Sequence, residues 1–211
     1  MSGASDQEIP IFRPERDGFD RYLEDTIVVD WQTPAVFERA RELAQGHEEP
    51  SERARAAFEF VRDEIDHSFE IETDVVTCSA SHVLREGTGL CYAKSHLLAA
   101  LLRARGIPVG FAYQRLLSTD NLSGYALHGF VVAWLSDVER WVALDARGDN
   151  EEVETKFQLD RPSLAYVPDV EAGEQTLPLI LARPAKRVVE LLDRAESLNR
   201  IRRHLPDSIL P

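Results

Sequence analysis

The sequence predicts an α+β fold. Helix-period apolar patterning fills the first half of the chain, and one broadly apolar helix begins directly after a Gly-bearing turn. From Val109 onward the runs are strand-like, rich in β-branched and aromatic residues. Residues 1–25 mix charge, Pro and Gly without sustained periodicity and are expected to be an N-terminal extension. TIVVD at 26–30 reads as a short β-branched strand with which the ordered core begins. Residues 26–211 are then expected to form one domain, with its core at 51–150.

Thr33 followed by Pro34 predicts a helix start with the hydroxyl as cap, and Gly46 its stop. Ser51 opens a second helix, in which Ala54, Ala57, Phe58, Val61 and Ile65 share one face. The third helix is framed by EGTG before Leu90 and Cys91 and by Gly106 and Pro108 after Arg105. Its positions Ala93, Leu97, Leu98, Leu101 and Leu102 make it central. VGFAYQRLL, YALHGFVVAWL and RWVALD then predict an antiparallel sheet, the last two runs joined by the short polar link Ser136 to Glu139. Beyond DARGDN the chain is loop-rich through Pro184. A final amphipathic helix carries Val188, Leu191, Leu192, Ala195, Leu198, Ile201 and Leu205.

With 211 residues, 44% apolar and 29% charged, the chain can bury a substantial core. No run approaches the roughly 18 apolar residues a membrane span needs, and MSGASDQEIPIF has neither a basic start nor an apolar signal core. A cytoplasmic location is therefore expected. The net charge is −13, with 20 acidic and 8 basic residues in 1–80 against 17 and 16 in 81–211. An acidic face with dispersed basic residues argues against nucleic acid as a partner.

Two cysteines cannot supply a disulfide framework, so a thiol is free for chemistry. Cys91 opens the third helix, where unpaired N–H groups and the helix dipole favour an anion and the backbone N–H is a natural oxyanion donor. Gly87 and Gly89 let a substrate approach, and Lys94 is placed to add positive potential. His128 alternates with Phe130, Val132 and Trp134 and should share their face of the sheet. A hairpin centred between Ser136 and Asp137 sets His128 opposite Asp145, close enough for a carboxylate to orient an imidazole. Each residue alone has an ordinary structural reading: a buried thiol, a core histidine, a turn aspartate. Together they supply nucleophile, general base and orienting carboxylate.

The run VLREGTGLCYAKSHLLAALLRARGIPVGF resembles the nucleophile segment of the transglutaminase-like superfamily, and HGFVVAWLSDVERWVALDARGDN is similar to its His and Asp strands. TIVVDWQTPAVFERARELA and the LAY of 164–166 are weaker parts of the same likeness, which spans roughly residues 22–170. The resemblance implies a papain-like α+β fold with Cys91 as nucleophile, His128 as base and Asp145 as orienter. It also implies cysteine-dependent acyl transfer or amide hydrolysis through a thioester, on a peptide, protein or small acyl or amide substrate, with no cofactor. Many members follow the histidine with a small residue and Trp, whereas Gly129 and Phe130 follow here. Calcium regulation, known in animal transglutaminases, has no D-x-D-x-D type loop to carry it.

Three alternatives compete. An arylamine N-acetyltransferase shares the triad logic, and a noncatalytic module would share the fold. Cys78, His82, Cys91 and His96 could together bind zinc, although their spacing lacks C-x-x-C and H-x-x-x-H pairs. His47, His67 and His204 are expected near helix ends as dipole-matched cations. His96 should point away from Cys91, about 140° around the helix.

Overall fold

The turn chemistry of the N-terminal half produces helices that stack on a single central one. A computed structural model describes residues 10–151 and 153–210, so part of the N-terminal extension lies outside the described residues. A two-residue strand β1 (Arg13–Pro14) and a single 3-10 turn (Asp20–Leu23) precede α1 (Pro34–Leu43) and α2 (Pro50–Glu64). The short strand β2 (Asp66–His67) follows, then α3 (Ala80–Glu86), the short strand β3 (Thr88–Gly89) and α4 (Cys91–Arg103). The sheet strands β4 (Val109–Leu117), β5 (Tyr125–Leu135) and β6 (Arg140–Leu144) come next. After β7 (Gln175–Thr176) and β8 (Leu179–Ile180), the described chain ends in α5 (Lys186–Arg194) and α6 (Leu198–Arg203).

The main sheet is antiparallel in the order β6-β5-β4-β7. Alternation along β5 splits the core in two. Val131, Ala133 and Leu135 join the large cluster built on α1 to α4, whereas Phe130 and Val132 join a smaller cluster with Tyr22, Ile180 and Ala182. Helix α4 contacts α1, α2, α3, β4 and β5, and its Leu97, Leu98, Leu101 and Leu102 are almost wholly buried. The mixed α+β class follows from this arrangement of helices on an antiparallel sheet.

Several local expectations are corrected. Residues 26–30 form no strand, because Thr26 Oγ1 accepts from Val29 N–H at 2.9 Å and Thr26 N–H donates to Val29 O at 3.2 Å, folding the segment on itself. The buried core begins before Thr26, since Tyr22 is fully buried and donates to the Ile180 carbonyl. Thr33 occupies the cap position of α1, but its hydroxyl donates to Asp30. Helix α2 starts at Pro50, capped by Glu49 in a reciprocal box with Glu52. The short helix α3 is additional: Ser79 Oγ accepts from His82 N–H, and Gly87 closes it at φ 67°. The last amphipathic stretch is broken, because Ala195 turns extended and Ser197 caps a new helix.

The β5–β6 register differs from the expected one. Leu135 pairs with Arg140 and Val131 with Leu144, which moves the pairing by two residues. The four-residue link SDVE contains no Gly, and its only left-handed residue is Glu139 at φ 51°. A two-residue hairpin of the common primed types needs positive φ at its first central position or at both, so the longer connection is adopted. Asp145 then lies just beyond the last paired residue, diagonal to His128 on the same face.

Candidate active site

The first turn of α4 presents Cys91, and its position is set by β5. Leu90 enters the helix in extended conformation without a side-chain cap, so the first N–H groups of α4 have no intrahelical partner. Ser95 Oγ hydrogen-bonds both the Cys91 carbonyl at 2.8 Å and the Gly129 carbonyl at 3.2 Å. The Tyr92 hydroxyl donates to the Leu127 carbonyl. These bonds grip β5 on either side of His128. A Cβ on Gly129 would lie 2.8 Å from Tyr92 Cδ1, so the residue after the histidine has to be small.

His128 and Asp145 are both sealed from solvent, and His128 Nε2 lies 2.7 Å from Asp145 Oδ2. The carboxylate also accepts from Ala165 N–H at 2.8 Å and Arg147 N–H at 3.3 Å. With Nε2 engaged by Asp145, Nδ1 is the ring nitrogen left to meet Cys91. Burial disfavours the imidazolium, but the charge and hydrogen bond of Asp145, together with hydrogen bonding to Cys91, outweigh it and push His128 up to about 10. Burial likewise opposes ionisation of Asp145, and the His128 charge and hydrogen bonds reverse that and lower it. Tyr166 packs edge-on against the His128 ring at 4.9 Å, fixed by the bond from Gln114 Nε2 to its carbonyl at 3.0 Å. Thus the structure brings Cys91, His128 and Asp145 together.

Cys91 and His128 line a cavity of about 610 Å³ whose walls also include His67, Phe69, Arg147 and Tyr166. Arg147 donates to Glu70 Oε1 at 2.6 Å and to the Gly148 carbonyl at 3.2 Å, which ties the chain after Asp145 to the segment after β2. Arg147 and Tyr166 were absent from the candidate residues read from sequence. The quoted DARGDN and LAY runs contain them, but nothing in those runs displays their convergence on Cys91.

Two expectations about charge are corrected. Lys94 does not face the thiol: its buried Nζ donates to the Ile65 and Arg62 carbonyls at the end of α2, and burial brings it down to about 8. His67 is not a helix-end cation, because α2 stops at Glu64 and His67 pairs with Gly89 in β2–β3. Burial and then the neighbouring charges of Arg147, Lys94, His128 and Arg202 hold it well below the ordinary histidine range. His96 points away from Cys91 as the helix geometry requires, with Nδ1 2.7 Å from the Cys78 carbonyl. Among the described residues, no group of three or more His, Cys, Asp or Glu could hold a metal ion. Nor is any helix among them long and apolar enough to cross a membrane.

Comparison with known proteins bears on the same segment. The family model described as transglutaminase-like superfamily matches residues 38–146, from α1 to just beyond β6. Among solved structures, a candidate cysteine protease from Cytophaga hutchinsonii superposes with a TM-score of 0.50 at 19% identity, covering 63% of this chain and 43% of its own. The periplasmic domain of TgpA from Pseudomonas aeruginosa, bound to ethylmercury, gives 0.43 at 23% identity, covering 59% of this chain and 46% of its own. In both cases the chain spans less than half of the other protein's length. No curated protein matches it. Since the family match takes in just over half of the chain, including the Cys-bearing helix and both strands around His128 and Asp145, this chain belongs to the transglutaminase-like superfamily.

Proposed function

We propose that the chain is a cysteine enzyme that forms a thioester on Cys91 and resolves it by transfer or hydrolysis. The observation that carries this reading is the buried His128–Asp145 pair, 2.7 Å apart, opening on the thiol at the start of α4. With the thiol proton already resident on His128, Cys91 attacks a carbonyl carbon as the thiolate. The new S–C bond forms as the carbonyl electron pair moves to oxygen. Collapse of that intermediate expels the leaving group, which takes the proton from His128. A water or an amine acceptor then gives its proton to His128 and attacks the thioester, releasing Cys91.

Amide hydrolysis and acyl transfer share the first half of this sequence, and the acceptor distinguishes them. The cavity walls mix apolar side chains with Arg147 and Tyr166, which suits a peptide or small acyl or amide substrate. The two free thiols, Cys78 and Cys91, suit a reducing compartment such as the cytoplasm. The test is the intact mass of the protein after mixing with p-nitrophenyl acetate. The expected result is one acetyl group mapped to Cys91 and none in Cys91→Ser. Equal acetylation of the two proteins would overturn the reading.

A further inference from the structure

Cys91 lies within two residues of Gly89, and β2 lays His67 directly beside Gly89. The pairing is parallel, with His67 opposite Gly89 and Ser68 N–H donating to the Gly89 carbonyl at 3.2 Å. This short ladder brings the chain after α2 alongside the entry to the nucleophile helix, and the His67 ring forms part of the cavity wall that Cys91 and His128 also line. Only 8% of His67 is exposed, and its Nδ1 is buried without a hydrogen-bond partner. Nε2 is therefore the nitrogen the ring can present to the cavity.

A buried imidazole with neither nitrogen committed to a protein partner is unusual. Buried polar groups are hydrogen-bonded with few exceptions, and each exception in a folded protein calls for a reason. Each of the other buried histidines has at least one nitrogen engaged: His96 Nδ1 meets the Cys78 carbonyl, although its Nε2 is buried without a partner, and His128 Nε2 meets Asp145. His67 is the one of the three that lines the cavity and stays unpaired. We infer that His67 donates a hydrogen bond from Nε2 to the oxyanion formed when Cys91 attacks a carbonyl, opposite the backbone N–H of Cys91.

This inference rests on the proposed thioester chemistry and supplies it with a second oxyanion donor. A neutral imidazole can serve as such a donor, since it carries one N–H that it does not lose to the reaction. Burial and the surrounding positive charges hold His67 well below the usual histidine range, so it carries a single N–H at neutral pH. Placing that proton on Nε2 leaves an acceptor lone pair at the sealed Nδ1, and avoids an orphaned buried N–H, the rarer of the two defects. During the step the S–C bond forms, the carbonyl π pair becomes the oxyanion lone pair, and His67 shares its N–H without giving it up. A positive neighbourhood that keeps the imidazole neutral also favours negative charge on the oxygen.

The experiment separates oxyanion stabilisation from thiol reactivity. Acetylation of Cys91 by p-nitrophenyl acetate passes through an oxyanion. Alkylation by iodoacetamide does not: an S–C bond forms as the C–I bond breaks and iodide leaves with the pair. Both rates are to be measured for wild type, His67→Phe, His67→Leu and His67→Gln. Removing one oxyanion donor lowers such rates by about 10²–10³. His67→Phe and His67→Leu should therefore acetylate about a hundredfold more slowly while alkylating at nearly the wild-type rate. His67→Gln, which retains an N–H, should recover part of the loss.

Acetylation at the wild-type rate in either donor-free variant overturns the role of His67 and leaves the thioester reading intact. A parallel fall in both rates, in both donor-free variants, also overturns it, because His67 would then serve the thiol or the fold. Failure of the wild-type protein to acetylate at Cys91 overturns the thioester reading and this inference together.

Discussion

His128 Nε2 lies 2.7 Å from Asp145 Oδ2, although the two residues are diagonal neighbours and not a cross-strand pair. Diagonal positions on one face are about 7–8 Å apart, within reach of an imidazole meeting a carboxylate. Two backbone N–H groups, from Ala165 and Arg147, hold the carboxylate from the other side. Both carboxylate oxygens are therefore engaged, Oδ2 by His128 and Ala165 and Oδ1 by Arg147. Asp145→Asn keeps the shape but offers an amide that favours the wrong imidazole tautomer. The expected result is a fall in acyl-enzyme formation of about 10³–10⁴.

The same substitution has a pH signature. His128 is raised to about 10 in the folded protein, so it contributes stability that is fully present below its unfolded value, roughly 6.5, and lost as pH rises through about 10. Asp145 is lowered, so its contribution is present above its unfolded value and lost as pH falls through the folded one. The stability gap between wild type and Asp145→Asn should accordingly be widest in mildly acidic to neutral solution and narrow at both extremes. Urea unfolding of the two proteins from pH 3 to pH 11 measures it. A gap that does not vary with pH means the pair is not ionised.

The two thiols should differ sharply. Burial, and then the charges of Asp193 and Asp30, push Cys78 up to about 11. Cys91 instead faces His128 from a helix start. Because the thiolate is the reactive form, iodoacetamide at pH 7 should modify Cys91 faster than Cys78 by on the order of a hundredfold or more. Peptide mapping after a short pulse reads both sites in one sample. Comparable labelling of both in the folded protein removes the case for an activated thiol.

How far the sequence revealed this site depended on how local each determinant was. The Cys91 helix was legible because a Gly-bearing turn, a long apolar face and Gly106 frame it within a few residues. His128 and Asp145 were legible as alternation and as the end of a neighbouring run, although the link SDVE concealed the true register. His67 was misread because its position depends on a two-residue parallel pairing with Gly89, formed between segments 22 residues apart. No periodicity announces so short a ladder. Tyr22 was missed for a related reason: its burial depends on Ile180, 158 residues away.

Gly129 offers a packing test next to the chemistry. A Cβ there meets Tyr92 Cδ1 at 2.8 Å and Tyr113 Cε1 at 3.2 Å, both from rings held by hydrogen bonds to Leu127 and Ala185. Neither ring can yield without breaking its bond. Gly129→Ala should therefore destabilise the fold by about 1–3 kcal/mol, as overpacking does elsewhere. Because Tyr92 follows Cys91, acyl-enzyme formation should fall as well. Chemical denaturation and mass-monitored acetylation check the two effects. Wild-type stability in the variant shows that the strand can shift away from α4 and that Gly129 is not a steric requirement.

Arg103 closes the end of α4 opposite Cys91 and separates stability from chemistry. The residue is 2% exposed, and its guanidinium donates to the carbonyls of Val109 at 2.7 and 3.2 Å, Glu24 at 2.8 Å and Ala182 at 2.7 Å. One side chain thus joins the early segment, the first sheet strand and the segment after β8 to α4. Burial lowers it to about 10, which still leaves it charged at neutral pH. Arg103→Met fills similar space but leaves three carbonyl groups without their donor. At about 1–3 kcal/mol for each buried unsatisfied group, partly relieved by relaxation, a loss of about 3–5 kcal/mol is expected. Arg103→Lys keeps the charge and can satisfy only part of the set, so it should fall between. Twelve residues at about 1.5 Å each put Arg103 roughly 18 Å from Cys91. Folded Arg103→Met should therefore acetylate at Cys91 at the wild-type rate below its unfolding transition. A variant as stable as wild type would mean that water replaces the guanidinium at these carbonyls and that its hydrogen bonds add no net stability.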